Sequence, residues 1–267
     1  MRLCISTVVD SKYQYFMPLF IFCLRRVYPD YDIKIFTHGK LARNVKSALA
    51  YLTGFKLVPK LFDDWNYTKY APISWRFLIP PEHYHGYDFV YVGDVDMMIL
   101  PEKVSLLNFH YNEMAETGFC YSNSLRSKRH WKGKESFTGL HFASQEWFTR
   151  TEARRKIHAE KVRTGKEGEK REWDGHMLYL MTKSSNLHIV PKAKNIKKRH
   201  HGIHLGNFRL YSDFDQIKKR VDADMCRKWM VIRRDQTFID ILTLVSVDNM
   251  VRESMEKLDA HCRRMIG

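Results

Sequence analysis

The sequence has no apolar run long enough to cross a bilayer. The longest, Phe16 to Leu24, has nine residues and contains Pro18, against the ~20 that a spanning helix needs. The chain opens directly on strand-like Leu3 to Val9, with no basic leader region and no small-residue cleavage site, so no signal peptide is expected. Paired cysteine spacing is also missing. Cys4, Cys23, Cys120, Cys226 and Cys262 are odd in number and scattered, which argues against a disulfide framework or zinc cluster and predicts reduced thiols in a cytoplasmic protein. No glycine-rich loop follows the first strand, so the usual dinucleotide and P-loop fingerprints are absent. Repeats and low-complexity tracts are lacking too. Negative charge is scarce: 30 Asp and Glu against 45 Lys and Arg leave a net charge of +15. Such a field suits nucleic acid, an anionic lipid surface or phosphorylated substrates, but no recognised nucleic-acid-binding motif accompanies it.

What is present suffices for one large core. Of 267 residues, 44% are hydrophobic and 13% aromatic, enough for a single domain with a small appended lobe. Leu3–Val9 reads as a first parallel strand, followed by a helix striped with Phe16, Phe20, Leu24 and Val27, in which Pro18 suits the first turn. Asp32 to Thr37 gives a second strand, Leu41 to Leu52 a helix and Phe55 to Val58 a third strand. This alternation is the mark of a doubly wound α/β sheet. Ala71 to Ile79 reads as a helix begun by Pro72 and stopped by Pro80 and Pro81, with Arg76 its only charge. That arginine either snorkels or caps the helix, or reaches a ligand. Further strands are expected over Met114 to Tyr121, Phe137 to Ala143 and Ile189 to Val190. Thr151 to Lys170 has few apolar positions and reads as a surface helix and mobile loop, with Gly165 and Gly168 as lid-like breaks. Stripes at Ile217, Val221, Met225 and Trp229, then Val247, Val251, Met255 and Leu258, give late amphipathic helices.

The chain is organised around Tyr87 to Pro101. Phe89 to Val92 is continuously apolar, as expected for a strand covered on both faces. Gly93 permits a bend. On an extended backbone Asp94 and Asp96 then point to one side and Val95 to the other. Two carboxylates at a buried strand end repel unless a cation lies between them. In open α/β sheets ligands lie beyond the carboxyl ends of the strands, so the pair predicts a divalent cation shared with a phosphorylated ligand. Asp-x-Asp also occurs at Asp30/Asp32, Asp213/Asp215 and Asp222/Asp224, but in turn, polar or capping contexts. Asp174 follows Trp173 at the start of a new helix and is either its cap or a site residue. His200, His201 and His204 offer a ligand among them, or else form an unliganded polar loop.

Taken together, these residues resemble a nucleotide-sugar glycosyltransferase of the GT-A type, closest to the family 8 group that includes glycogenin and bacterial lipopolysaccharide galactosyltransferases. The resemblance covers roughly residues 3 to 210. It implies a Rossmann-like mixed sheet flanked by helices, a catalytic domain over 1–210 and a C-terminal helical extension over 211–267 packed on it. It places Thr7, Val8, Asp10 and Tyr13 at a uridine. It gives Arg76, Asp94, Val95, Thr138, Gly139 and Arg209 to the rest of the donor, Asp94, Asp96 and His204 to the metal, and Asp174 to the sugar centre. Phe137-Thr138-Gly139-Leu140 is similar to the family's Asn-Ser/Ala-Gly-Val element, with Thr138 where Asn is usual. His204 to Arg209 is similar to its late His-x-x-Gly-x-x-Lys, one residue short and with Arg for Lys.

The implied activity is transfer of a hexose from a UDP-sugar to a glycan acceptor, with retention, using Mn²⁺ or Mg²⁺. An imidazole among oxygen ligands favours Mn²⁺. A lipid-linked acceptor would suit peripheral membrane contact through Lys192, Lys194, Lys197, Lys198 and Arg199, each cation near an anionic surface contributing ~1 kcal/mol. The competing readings are a nucleotidyltransferase, which usually needs a glycine- and lysine-containing loop after the first strand, and a non-enzymatic basic nucleic-acid-binding protein.

Overall fold

The computed structural model describes residues 1–68, 71–126, 134–167, 173–189, 201–208, 217 and 220–267, and of Trp173 and Asn207 only the backbone. Four parallel strands form the centre: β1 (Leu3–Val9), β2 (Asp32–Thr37), β3 (Phe55–Pro59) and β4 (Phe89–Val92). Two short strands extend the sheet beyond β4. These are β6 (Tyr121–Ser122) and β9 (His141–Ser144); β9 runs antiparallel to both β4 and β6. The order is β3-β2-β1-β4-β9-β6, a mixed α/β sheet in which β1, β2 and β4 end on one edge.

Both faces of this sheet are covered, which explains the unbroken apolar run of β4. Phe89 and Tyr91 join one core cluster while Val90 and Val92 join the other. Along β1 the same alternation sends Leu3, Ile5 and Val9 to the first cluster and Cys4 to the second, as a period of two requires. Helix α1 (Met17–Val27), with Pro18 in its first turn, packs in the first cluster. The late helices Ala223–Arg233, Gln236–Val245 and Asn249–Ile266 contribute Trp229, Phe238, Val251 and Leu258 to that cluster. Phe22 and Phe238 meet with ring centroids 5.4 Å apart.

Several elements differ from the sequence expectation. Met114 belongs to helix Leu106–Thr117, not a strand. Leu106, His110 and Met114 recur every four residues and are buried, Ser105 caps the start, and Gly118 at φ 68° closes the end, a left-handed position suited to glycine. The stretch Phe137 to Ala143 is broken into β8 (Ser136–Phe137), which pairs antiparallel with β7 (Leu125–Arg126), and β9 by a bend at Thr138 to Leu140. The helix begun at Ala71 ends at Trp75, so Arg76 lies in the turn that follows. Helix Gln145–Arg163 is a core helix over much of its length: Trp147, Phe148, Thr151, Arg155, His158 and Val162 are buried. Its buried face includes polar side chains that find partners inside. Arg155 donates to Phe148 O at 2.7 Å and Thr151 Oγ1 at 2.9 Å, and His158 Nδ1 meets Glu167 Oε2 at 2.7 Å. Gly168 and Val190 lie outside the described residues, and Ile189 is in no strand.

A second, smaller sheet pairs β5 (Met97–Ile99) with β10 (Gly202–His204), antiparallel, with Gly202 opposite Ile99 and His204 opposite Met97. Sequence reading did not anticipate β10. The two strands come so close at Gly202 that a Cβ there would overlap the Met98 carbonyl oxygen, and its φ is 153°. Gly202→Ala is therefore expected to destabilise the fold by about 3 kcal/mol, since overpacking against backbone cannot be relieved by a rotamer change. Urea unfolding measures this; a loss below about 0.5 kcal/mol would show that the ribbon is not held as described.

Candidate metal centre

Strand β4 ends at Val92, and the chain turns through Gly93, Asp94, Val95 and Asp96 before β5 begins at Met97. The turn is held to the neighbouring strand. Gly93 N donates to Ser6 O at 3.1 Å, and the buried Thr7 hydroxyl donates to Gly93 O at 2.9 Å. Val95 is 6% exposed and packs in the core, which turns the two flanking aspartates outward together. The expected same-side geometry is thus reached by a turn rather than by extended backbone.

The β5–β10 register brings His204 beside these aspartates, and Leu205 N donates to Asp96 O at 2.8 Å to lock the crossing. His204 Nε2 stands 3.5 Å from Asp94 Oδ2 and 3.6 Å from Asp96 Oδ1. One donor atom from each of the three residues lies within 4.8 Å of the others. These separations suit an ion: donors each about 2.1 Å from one cation lie about 3 to 4.2 Å apart. Gly206 makes room, because a Cβ there would overlap Asp96 Oδ2 and stand 3.2 Å from His204 Cε1.

Arg76 neutralises the cluster from the other side. Its Nη1 pairs with Asp94 Oδ1, and its Nη2 with Asp174 Oδ2 at 3.0 Å. Asp174 lies in the first turn of helix Trp173–Ser184 and is 6% exposed. The arginine is 7% exposed and lies between these two carboxylates. Gly139 passes close by: a Cβ on it would lie 2.6 Å from Arg76 Nη2.

The titrations follow from this crowding. Burial alone would raise Asp94, but Arg76 and His204 hold it far below the usual carboxylate range. Asp96 is raised, by burial first; His204 opposes and Asp94 adds to the rise. Burial works against the charge on His204, yet Asp96 and Asp94 overrule it and push the imidazole up to about 9. Arg76 is raised as well: burial disfavours its charge, and Asp94 and Asp174 more than restore it.

The other expected site residues are placed as follows. Thr7 supports the turn. Val8 is half-buried against the second core cluster. Asp10 sits at the end of β1, 7% exposed; its Oδ1 accepts from Lys12 N at 3.1 Å and Tyr13 N at 2.9 Å, and its Oδ2 accepts from the Tyr67 hydroxyl at 2.9 Å. Tyr67 in turn stacks on His38, ring centroids 5.3 Å apart. Tyr13 packs on Phe16 with centroids 6.1 Å apart. Thr138 spends its hydroxyl on Asn123 Oδ1 at 2.6 Å and Leu140 O at 3.1 Å, so it shapes the bend around Gly139 rather than joining the aspartates. Arg209, His200 and the basic run Lys192 to Arg199 lie outside the described residues. Sequence reading missed Tyr67, His38 and Asn123; each is an isolated polar or aromatic residue whose role appears only through its partner.

Three histidines, His204 at the cluster and His141 and His110 in the core, fix a pH profile for the metal-free protein. His204, near 6.5 when unfolded, binds its proton up to about 9 in the fold, so its contribution is full below about 6.5 and lost as pH rises toward 9. His141 runs the other way: burial first, then Arg155, lowers it to about 3, so the unfolded chain binds the extra proton and stability falls as pH drops below about 6.5. His110, lowered by burial and by His201 and His141, adds to the acid side. Urea midpoints in EDTA are expected to peak near pH 6.5, with each group changing stability by at most about 1.4 kcal/mol per pH unit. Saturating Mn²⁺ is expected to abolish the alkaline decline. A midpoint that rises steadily from pH 6.5 to 8.5 without metal would contradict the pairing of His204.

No protein-family model matches the chain, and no curated protein matches it. Among solved structures it is similar to the galactosyltransferase LgtC in complex with donor and acceptor sugar analogues, at 12% identity over 66% of this chain and 69% of that one, with a TM-score of 0.39. It is similar to the glycosyltransferase GlyE of Streptococcus pneumoniae TIGR4, at 14% identity over 82% of this chain and 50% of that one, TM-score 0.47; the chain thus matches half of GlyE's length. A cytidylyltransferase from Leptospira borgpetersenii is also similar, at 8% identity over 94% of this chain and 96% of that one, TM-score 0.44.

Proposed function

We propose that the chain is a metal-dependent glycosyltransferase that moves a hexose from a UDP-sugar to a glycan acceptor with retention. The observation that carries the reading is the Asp94–Asp96–His204 cluster at the carboxyl edge of the parallel strands, backed by the Arg76 bridge to Asp174. Two carboxylates and an imidazole suit Mn²⁺ better than Mg²⁺. Bound there, a divalent ion supplies Lewis-acid neutralisation of a departing diphosphate.

The chain's own residues have distinct tasks in this reading. Asp94 and Asp96 hold the ion-facing edge, and Gly206 lets backbone approach them. Arg76 fixes the Asp94 and Asp174 carboxylates in one geometry and carries a charge-assisted donor toward the side where a diphosphate would lie. Asp174 faces the anomeric centre, where a carboxylate hydrogen-bonds sugar hydroxyls or stabilises oxocarbenium-like charge. The metal turn follows β4, Asp10 follows β1 and His38 follows β2. Adjacent strands are ~4.8 Å apart, so the uridine proposed for Asp10 and Tyr13 lies within the span of a nucleoside diphosphate from the aspartates. Arg209 is proposed as a second diphosphate donor.

The acceptor is proposed to be a glycan, with a lipid-linked one reached through peripheral contact of the basic run Lys192 to Arg199. No helix among the described residues is long and apolar enough to cross a membrane. The second reading, nucleotidyl transfer, draws on the same acid cluster and lacks the glycine- and lysine-containing loop after β1.

Purified protein with Mn²⁺ is expected to hydrolyse or transfer from UDP-sugars and to leave a nucleoside triphosphate plus sugar 1-phosphate unconverted. Asp94→Asn and Asp96→Asn are expected to lower turnover at least 100-fold, the scale of losing ~3 kcal/mol of charge stabilisation, with unchanged far-UV circular dichroism. Asp174→Asn is expected to lower kcat with little change in Mn²⁺ affinity. Unchanged UDP-sugar turnover in both Asp94 and Asp96 variants would sink the proposal, and nucleotidyl transfer in its place would establish the second reading.

A further inference from the structure

Beneath the metal turn lies a line of hydrogen bonds that the proposed chemistry does not use. Glu102 Oε2 meets His201 Nδ1 at 2.7 Å; His201 Nε2 meets His110 Nε2 at 2.9 Å; His110 Nδ1 meets Ser122 Oγ at 2.7 Å; and the Ser122 hydroxyl donates to Glu113 Oε2 at 2.6 Å. His201 is fully buried, Ser122 is 3% and His110 8% exposed. The line crosses four parts of the fold: the segment after β5, the residue just before β10, helix Leu106–Thr117, and edge strand β6.

We propose that this relay positions His204, and with it the metal centre, through His201. The inference rests on the reading of Asp94, Asp96 and His204 as ligands of a divalent ion. Strand β10 has three residues and pairs only with β5, itself three residues long, among the described residues. A ribbon of that size is marginal by itself. It is anchored at both ends. Leu205 N on Asp96 O holds the end beyond His204, and the other end is His201, whose carbonyl accepts from Leu100 N at 3.3 Å and whose ring is the middle of the relay. His201 immediately precedes this strand and stands three residues before His204, so releasing the ring frees the end of the strand that sets the imidazole.

The relay has a definite proton count. Four contacts need four hydrogens, one in each. Neutral His201, neutral His110 and Ser122 bring three. The line is complete only when it holds one additional proton. Because the Ser122 hydroxyl donates to Glu113, a single hydrogen on His110 is spent on Ser122 and His110 Nε2 accepts from His201, which leaves the fourth hydrogen to the Glu102–His201 contact. Tyr91 lies against both rings, with centroids 5.8 Å away in each case. This count separates two variants of Glu102. Glutamine at this position donates an amide N–H to His201 Nδ1 and supplies the fourth hydrogen itself, so Glu102→Gln keeps the line whole. Glu102→Ala leaves His201 Nδ1 without its partner.

The test is Mn²⁺ titration of the purified full chain, without nucleotide, by calorimetry or by loss of free Mn²⁺ signal in electron paramagnetic resonance. Circular dichroism checks that each variant is folded. Glu102→Ala is expected to weaken Mn²⁺ binding at least tenfold, Ser122→Ala at the far end about threefold, and Glu102→Gln less than twofold. Asp96→Asn marks complete loss. If Glu102→Ala does not fold, Ser122→Ala decides. Wild-type affinity in both alanine variants overturns the relay while leaving the metal reading intact, and so does a Glu102→Gln as weak as Glu102→Ala. A wild-type chain that takes up no Mn²⁺ overturns the metal reading and the relay together.

Discussion

Three carboxylates meet at the end of a buried strand, and their repulsion is the constraint around which this site is built. Asp94, Asp96 and Asp174 face a single guanidinium, Arg76, and one imidazole, His204. With His204 protonated the group keeps one negative charge. Exchanging that proton for a divalent cation would bring the group to neutrality. A buried carboxylate without a partner is costly, so a cation among these residues would relieve the repulsion without a rearrangement of the turn. It also explains why His204 binds its proton so tightly in the metal-free protein: the proton stands where the ion would.

The sheet supplies the position and the small ribbon supplies the closure. Thr7 on β1 holds Gly93, which delivers Asp94 and Asp96 to the carboxyl edge. The β5–β10 pair then returns a segment more than 100 residues later to the same turn, with Gly202 and Gly206 giving the clearance that any Cβ would remove. Arg76 arrives from the turn after helix Ala71–Trp75, Asp174 from the first turn of helix Trp173–Ser184, and Gly139 from a bend that Asn123 organises through Thr138. Four remote stretches are therefore needed to complete one charge balance. Changes at Gly139, Gly202 or Gly206 are predicted by this geometry to act on the centre without supplying a ligand to it.

Much of this was legible in the sequence because it depends on local signals. The apolar β4 run, the bend at Gly93 and the paired aspartates are contiguous, and the strand–helix alternation of the first 60 residues is strongly periodic. Asp96 and His204 were linked by motif resemblance rather than by periodicity, since β10 is too short to leave a pattern. The failures share a cause. Met114 to Tyr121 reads as strand when taken alone; the helical stripe shows only with His110 and Leu106, which stand one and two turns before Met114. Thr151 to Lys170 reads as surface from its few apolar positions, yet the polar side chains of Thr151, Arg155 and His158 are buried and each finds a partner inside the fold. His201 groups with His204 by proximity in sequence, although its ring meets Glu102 and His110 rather than the aspartates. Partnerships between distant polar groups leave no periodic trace.

The central claim is that Asp94, Asp96 and His204 hold a divalent ion against a nucleoside diphosphate. Anomalous diffraction from crystals grown with Mn²⁺ and UDP tests it most directly. The account predicts one Mn²⁺ peak ~2.0–2.3 Å from an oxygen of each aspartate and from His204 Nε2, with diphosphate oxygens completing its shell on the side of Arg76. A peak elsewhere, or UDP bound with no ion among these three residues, would contradict it.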